Sequence, residues 1–251
     1  MGPAGTPPAH GIVRGVCKHT GGTMAQGEVA LPETIERETG ADPRWSVLWL
    51  HGLGADGHDF AGIVPQLVRR EWPALRFVFP HAPVRPVTIN GGMRMRAWYD
   101  IREANLENRA DLEGVAESVA QVDALVAREA ERGVPPERVL LAGFSQGGAV
   151  TLATGIARRQ PLAGLVALST YLPMGADAAR AALADGATRQ PVFMAHGVFD
   201  PVVPAAAGET GAKTLKAMGF DVTWRRYPMQ HAVHPEEVVD LGNWMTARFA
   251  G

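Results

Sequence analysis

Residues 138–148 read RVLLAGFSQGG, a short apolar run that leads directly into a glycine-rich turn. The run has the length of a buried β-strand, and the residues after the turn continue as an apolar helical pattern. Between the two lies a G-x-S-x-G pentapeptide with Ser145 at its centre. In a strand–turn–helix context this pattern predicts a nucleophilic serine held on a sharp turn above a sheet. The alternative interpretation is a glycine-rich turn with an incidental serine.

The same alternation of strand and helix patterns extends over most of the chain. Near-continuous apolar runs, typical of parallel strands covered on both faces, occur at 45–50, 76–79, 138–142, 164–168 and 191–195, and 220–227 is predicted as one more strand. Helical patterns cover 112–126 with a stop at Gly133, 146–159, 204–218 and 235–249. We therefore predict an α/β fold with a mostly parallel sheet and helices on both faces.

Composition limits the functions that need considering. The chain has 251 residues, of which 46% are hydrophobic, so a large buried core is expected. The net charge of −2 provides no basic field for nucleic acid. Residues 1–23 are rich in Gly, Pro and Thr and lack the apolar run of a secretory signal, which predicts an extension without fixed structure ahead of a single domain at 24–251. The lone Cys17 cannot form an internal disulfide, which favours a cytoplasmic location.

One segment has the length and apolar character of a membrane span. Residues 139–157 carry no charge, and about 20 such residues cross a bilayer. The segment also contains the cluster Gly143, Ser145, Gln146 and Gly147, which has no evident purpose in a membrane helix. We therefore interpret it as strand, turn and helix, and we expect no stable membrane insertion.

A serine hydroxyl becomes a nucleophile only when an oriented base removes its proton, so a histidine and a carboxylate must accompany Ser145. In this class of fold the chain order is Ser, acid, His. Asp200 follows the strand at 191–195 and His231 follows the strand at 220–227, so both fall at the carboxyl edge where open α/β sheets build their sites. Asp185 and His234 are the alternatives. We favour Asp200 because Asp185 lies in a polar stretch typical of the end of a helix. We favour His231 because a helix start follows His234, which is typical of a capping residue.

A second glycine-rich segment follows the strand at 45–50. It reads HGLGADG over residues 51–57 and lacks both phosphate-loop patterns, G-x-G-x-x-G and G-K-[ST]. Acyl transfer creates an oxyanion that two backbone N–H groups can stabilise. We expect these donors to be the amides of Gln146, directly after the nucleophile, and Leu53 in this loop. The pair His231 and His234 lacks a third ligand at metal-binding spacing, so no metal is predicted.

Six motifs in order resemble the phospholipase/carboxylesterase family, which includes acyl-protein thioesterases and bacterial carboxylesterases. They lie at residues 51–60, 79–83, 98–100, 143–148, 168–173 and 196–204. The resemblance covers the chain from about residue 45 to the end. It implies an α/β-hydrolase fold, a metal-independent triad of Ser145, Asp200 and His231, oxyanion donors at Leu53 and Gln146, and hydrolysis of carboxylic esters without a cofactor. It also implies that a homodimer is frequent.

Substrate choice rests on the segment 83–99, whose paired glycines suggest a flap. By analogy with the family, this flap borders an acyl groove lined by six apolar side chains: Leu53, Ile89, Met93, Trp98, Leu172 and Val202. The alternative for Trp98 is a place in the core. We expect a carboxylesterase that acts on small-molecule esters with short to medium acyl chains. An acyl-protein thioesterase, a lysophospholipase and a non-catalytic ligand receptor on the same fold are the alternatives.

Overall fold

A computed structural model describes residues 29–103 and 110–249. The predicted extension 1–23, including Cys17, lies outside the described residues. In chain order the described strands are β1 (Thr34–Glu38), β2 (Trp45–Leu50), β3 (Leu75–Pro80), β4 (Val84–Val87), β5 (Met93–Arg96), β6 (Val139–Phe144), β7 (Gly164–Leu168), β8 (Val192–Gly197) and β9 (Val222–Tyr227). The described α-helices are α1 (Val64–Leu67), α2 (Leu112–Glu131), α3 (Gln146–Ala157), α4 (Ala176–Ala181), α5 (Ala205–Ala217) and α6 (Pro235–Phe249).

Seven of these strands form the central sheet, in the order β1-β3-β2-β6-β7-β8-β9. Strand β1 is antiparallel to β3, and every other neighbouring pair is parallel. The carboxyl ends of the six parallel strands therefore meet at one edge of the sheet. The loops that follow β2, β6, β8 and β9 emerge there, and they carry His51, Ser145, Asp200 and His231 in turn.

Helices cover both faces of the sheet, which explains why its strands are apolar at successive positions. Leu48 and Leu50 of β2 point into a core shared with α2, α3 and α5. Val47 and Trp49, on the opposite face of the same strand, pack into a second core with α1 and α6. The prediction of a mostly parallel α/β sheet with helices on both faces is confirmed.

The uncharged segment 139–157 forms β6 and α3, joined at Ser145, so the strand–turn–helix interpretation is confirmed. Strand β6 lies at the middle of the sheet and α3 is buried along nearly its whole length. That burial accounts for the absence of charge, because an unpaired charge is costly inside a core. Within residues 29–103 and 110–249, no helix is long and apolar enough to cross a membrane.

Three strands and the short helices α1 and α4 were not predicted. Strand β1 escaped notice because its sequence, TIERE, is mostly polar. It sits at the sheet edge, where Glu36 forms ion pairs with Arg128 of α2 and with Arg132, which caps the end of that helix. Strands β4 and β5 form a separate antiparallel hairpin within the proposed flap. Its turn contains Gly91 and Gly92 with φ of 66° and 78°, the left-handed conformation that glycine adopts without strain.

Candidate active site

Ser145 occupies the turn between β6 and α3 in a backbone conformation that is rare for a residue with a side chain. Its φ is 53° and its ψ is −117°. Three hydrogen bonds hold it there: its N–H donates to Leu168 O (2.9 Å), and its carbonyl accepts from Ala149 N (3.1 Å) and Thr170 Oγ1 (2.6 Å). Strain of this kind persists only where the surroundings determine it, and it is concentrated at functional sites.

The three side chains predicted to act together form a continuous hydrogen-bonded chain. His231 Nε2 lies 2.9 Å from Ser145 Oγ, and His231 Nδ1 lies 2.7 Å from Asp200 Oδ2. The other carboxylate oxygen, Oδ1, accepts the amides of Val202 (2.8 Å) and Val203 (2.9 Å). Since a carboxylate is only an acceptor, the Nδ1 atom carries the imidazole proton. The Nε2 lone pair is thereby left facing the serine hydroxyl, the arrangement a general base needs.

The competing residues lie elsewhere in the structure. His234 begins the last helix: its N–H donates to Glu237 Oε2 (3.1 Å), and its ring stacks on Tyr227. Asp185 lies in the turn after α4, and no hydrogen bond among the described residues joins it to Ser145 or His231. Across the part of the chain that the structure describes, no group of three or more His, Cys, Asp or Glu side chains could hold a metal ion.

The two predicted oxyanion donors flank the nucleophile. Gln146 is the first residue of α3, so its N–H has no partner within the helix, and the positive end of the helix dipole lies at the same point. Leu53 lies in the loop after β2. A Cβ built on the neighbouring Gly52 would lie 3.5 Å from the Cβ of Ser145, so this loop runs against the nucleophile. Among the described residues the Leu53 N–H donates to no other group.

Comparison with known proteins shows the family to which the chain belongs. The sequence profile of the phospholipase/carboxylesterase family matches residues 34–248. The chain belongs to this family. It is 39% identical over 204 residues to acyl-protein thioesterase 1 of Gibberella zeae (78% of this chain, 87% of the relative). It is 35% identical over 202 residues to a probable carboxylesterase of Oryza sativa subsp. japonica (79% and 76%). The crystal structure of Arabidopsis thaliana SOBER1 superposes with a TM-score of 0.77 at 33% identity (82% and 99%).

Membership of the phospholipase/carboxylesterase family confirms the resemblance drawn from the six motifs and the α/β-hydrolase fold. It also makes the chain an enzyme, a serine hydrolase of the esterase and thioesterase type.

Side chains expected to line the acyl groove of this family member differ in their exposure. Ile89 and Met93, at the tip of the hairpin, and Val202, beside Asp200, are exposed, while Leu53 and Leu172 are half-buried. Trp98 differs from the expectation. It is 0% exposed, because its indole is enclosed between the loop after β2 and the core. It therefore lies beneath the site and does not line an open groove.

An apolar side chain that the sequence reasoning did not single out lies at the rim. Phe199 is 66% exposed directly before the buried Asp200, and Val198 precedes it. Large exposed apolar side chains beside a residue of the triad suit an apolar substrate. The signal for Phe199 was its position inside the motif at 196–204, where it adjoins Asp200.

Two further histidines, His51 and His196, hold the loops of the site. Each ends or follows a strand, is followed by glycine and is buried. His196 Nε2 donates to Val203 O (2.8 Å) and lies 3.4 Å from Asp200 Oδ2. Burial lowers the pKa of His196, so the ring is neutral and serves as a single-proton donor to the loop that carries Asp200. The repeated His-Gly dipeptide at strand ends was the signal that could have found both.

The loop that carries His231 depends on a close backbone approach at Gly197. A Cβ there would lie 2.4 Å from the carbonyl oxygens of Met229 and Gln230, so Gly197→Ala must displace this loop. Because a small misplacement of a catalytic group costs about 10²-fold, we expect kcat for a short-chain ester to fall by about that factor. Gly175→Ala is the matched control, since no atom lies within 4 Å of the added carbon. Equal activity of both variants and the parent would contradict this prediction.

A buried carboxyl behind His234 predicts a stability that depends on pH. Burial raises the pKa of Glu237 to about 7 from 4.5, and only its Oε2 has a hydrogen-bond partner. A raised pKa means that the folded state favours the protonated acid, so the free energy of unfolding falls as the pH rises from about 4.5 to about 7.

Glu237→Gln removes this titration. The stability of the variant relative to the parent should therefore increase by about 3 kcal/mol between pH 4.5 and pH 8, measured by urea unfolding at both values. A difference between the two proteins that does not change with pH would show that Glu237 ionises at no cost.

Proposed function

We propose that this enzyme hydrolyses carboxylic esters of short to medium acyl chain length through an acyl-enzyme intermediate. Ser145 is the nucleophile, His231 the general base and Asp200 the carboxylate that orients the imidazole. The observation that carries the proposal is the unbroken path from Ser145 Oγ through the imidazole to Asp200, with distances of 2.9 and 2.7 Å. Both distances fall within hydrogen-bond reach: the first meets the geometric requirement for proton transfer from the serine, and the second holds the imidazole in its orientation.

The reaction follows from these contacts. His231 Nε2 accepts the hydroxyl proton as Ser145 Oγ attacks the acyl carbonyl, and the amides of Leu53 and Gln146 donate to the oxyanion. As the tetrahedral intermediate collapses, Nε2 returns the proton to the departing alkoxide. Water then attacks the acyl-enzyme with the same base, and Ser145 is regenerated. Asp200 stabilises the imidazolium that forms in each half-reaction.

An acyl chain of modest length suits the surroundings of Ser145. Met93, Phe199 and Val202 offer exposed apolar surface near the site, whereas Trp98 is enclosed in the core. Apolar contact along such a rim stabilises a few methylene groups of the substrate. We therefore propose a small-molecule ester as the substrate.

The second candidate function is hydrolysis of a thioester on an acylated protein. The observation that favours it is the 39% identity to a protein named acyl-protein thioesterase 1. The same triad and oxyanion donors serve a thiolate leaving group equally well. A lysophospholipase and a receptor that binds without turnover are the remaining alternatives.

One panel of substrates separates these functions. We would compare kcat/KM for acetyl, butyryl, octanoyl and palmitoyl esters of p-nitrophenol, octanoyl thioester on a cysteine peptide, and a lysophosphatidylcholine. The proposal expects the butyryl or octanoyl ester to be the best substrate. A peptide thioester preferred by 10-fold or more would establish the second candidate. Binding of the esters without repeated turnover would establish the receptor.

A homodimer and a cytoplasmic location also belong to this proposal. The family resemblance supports the first, and the lone cysteine supports the second. Sedimentation velocity at micromolar concentrations tests the dimer, for which a single monomeric species would be the contrary result.

A further inference from the structure

The side chain of Gln146 is hydrogen-bonded to a segment that lies far from it in the sequence. Its Oε1 accepts the N–H of Trp98 (2.8 Å), and its Nε2 donates to the carbonyl of Tyr99 (2.7 Å). Both groups of the amide are therefore satisfied inside the protein, and all three residues are buried. These two side-chain bonds, together with helix α3, fix the direction of the main-chain N–H of Gln146.

The same segment is tied to the other oxyanion loop through the indole of Trp98. Trp98 Nε1 donates to the carbonyl of His51 (2.9 Å), which directly precedes Gly52 and Leu53. The carbonyl of Trp98 in turn accepts from Ser118 Oγ of α2. One residue with no exposed surface thus contacts the loop after β2, the first residue of α3 and helix α2.

The His51 ring fixes the peptide that carries the Leu53 amide. Its Nε2 accepts the N–H of Ala82 (3.0 Å), so the proton lies on Nδ1, which donates to the carbonyl of Gly52 (2.7 Å). In a trans peptide the N–H points opposite to the carbonyl, so the Leu53 N–H is directed away from the ring. Burial lowers the pKa of His51 to about 4, which keeps this tautomeric arrangement neutral above that pH.

We infer that Trp98 is a positioning residue for both oxyanion donors, because it joins the His51 loop that carries Leu53 to the Gln146 end of α3. Trp98 is fully enclosed and touches no substrate; it acts through these two neighbours. The inference rests on the proposed function, since it assumes that the two amides receive the oxyanion. Because an oxyanion exists only in the transition state and the tetrahedral intermediate, loss of this positioning must lower kcat and leave KM nearly unchanged.

Trp98→Phe tests the inference, since it keeps an aromatic ring but removes the N–H that reaches His51. We expect kcat for butyryl p-nitrophenyl ester to fall by about 10- to 100-fold with KM within about twofold. Affinity for a trifluoromethyl ketone, which forms a tetrahedral adduct with the serine, should fall by the same factor as kcat/KM.

Trp49→Phe is the matched control. Trp49 is also buried and lies two residues before His51, but it packs into the core on the opposite face of the sheet from Trp98. Its Nε1 has no hydrogen-bond partner among the described residues. The control loses the same ring volume without a hydrogen bond, so kcat should stay within about threefold of the parent. An equal fall in kcat in both tryptophan variants, or a rise in KM with kcat unchanged, would overturn the inference.

A second variant covers the case in which Trp98→Phe does not fold. Gln146→Met removes both side-chain bonds to the Trp98 segment and keeps the main-chain N–H at position 146, so the same fall in kcat and ketone affinity is expected. An unchanged kcat in this variant would overturn the inference. The proposed function fails separately: it fails if Ser145→Ala retains turnover, whatever the tryptophan variants do.

Discussion

Replacement of Ser145 by alanine is expected to lower kcat for a short-chain ester by about 10⁴-fold or more. The substitution removes the hydroxyl that lies 2.9 Å from His231 Nε2 and leaves the imidazole and its carboxylate in place. What remains is the modest acceleration from binding and from the oxyanion donors. The measurement is initial-rate hydrolysis of butyryl p-nitrophenyl ester, with the thermal unfolding temperature recorded for each protein.

The chain offers a close control for this substitution. Ser169 is a buried serine that, like Ser145, has a positive φ, of 46°, and its Oγ has no hydrogen-bond partner among the described residues. Ser169→Ala therefore removes a hydroxyl in a similar backbone setting and should leave kcat within a few-fold of the parent. Turnover retained in Ser145→Ala, or lost equally in Ser169→Ala, would contradict the assignment of the nucleophile.

Asp200→Asn is expected to lower kcat by about 10⁴-fold at neutral pH, for a reason that the hydrogen bonds make specific. Asp200 Oδ1 accepts two main-chain amides, so the oxygen of an asparagine must occupy that position. Its NH₂ group then faces His231 Nδ1, which must become an acceptor. The imidazole proton moves to Nε2, and Nε2 can no longer accept the proton of Ser145.

The kinetic constants and the unfolding temperature together separate this effect from general damage to the site. If the wrong tautomer is the cause, the loss should be in kcat, with the unfolding temperature near that of the parent. Asp185→Asn is the control, because Asp185 was the alternative acid and lies in a turn after α4. The assignment would be wrong if Asp185→Asn lost activity and Asp200→Asn kept it.

Much of the site was predictable because it depends on chain order and strand ends. Ser145, Asp200 and His231 each follow a predicted strand, and parallel strands bring their carboxyl ends to one edge. Those two facts place the three residues on the same side of the sheet without any knowledge of distances. The family motifs added the α/β-hydrolase fold and the hydrolysis of carboxylic esters, and they implied the same two oxyanion donors.

The features that sequence reasoning missed depend on contacts between distant segments. Strand β1 is polar and gains its place through pairing with β3 and ion pairs to α2, neither of which its own pattern reveals. Trp98 is an apolar aromatic residue of the kind that lines a groove. Its indole N–H instead donates to a carbonyl 47 positions earlier in the chain, and the side chain is buried there. The roles of His51 and His196 likewise rest on single hydrogen bonds into the loops that follow them.

Covalent labelling is the experiment that shows whether Ser145 is the nucleophile. The protein would be incubated with a fluorophosphonate, digested, and its peptides examined by mass spectrometry. We expect one phosphonyl group per chain, on the peptide that contains Ser145, and no label in Ser145→Ala. Label on another residue, or none in a preparation that turns over the ester, would contradict it.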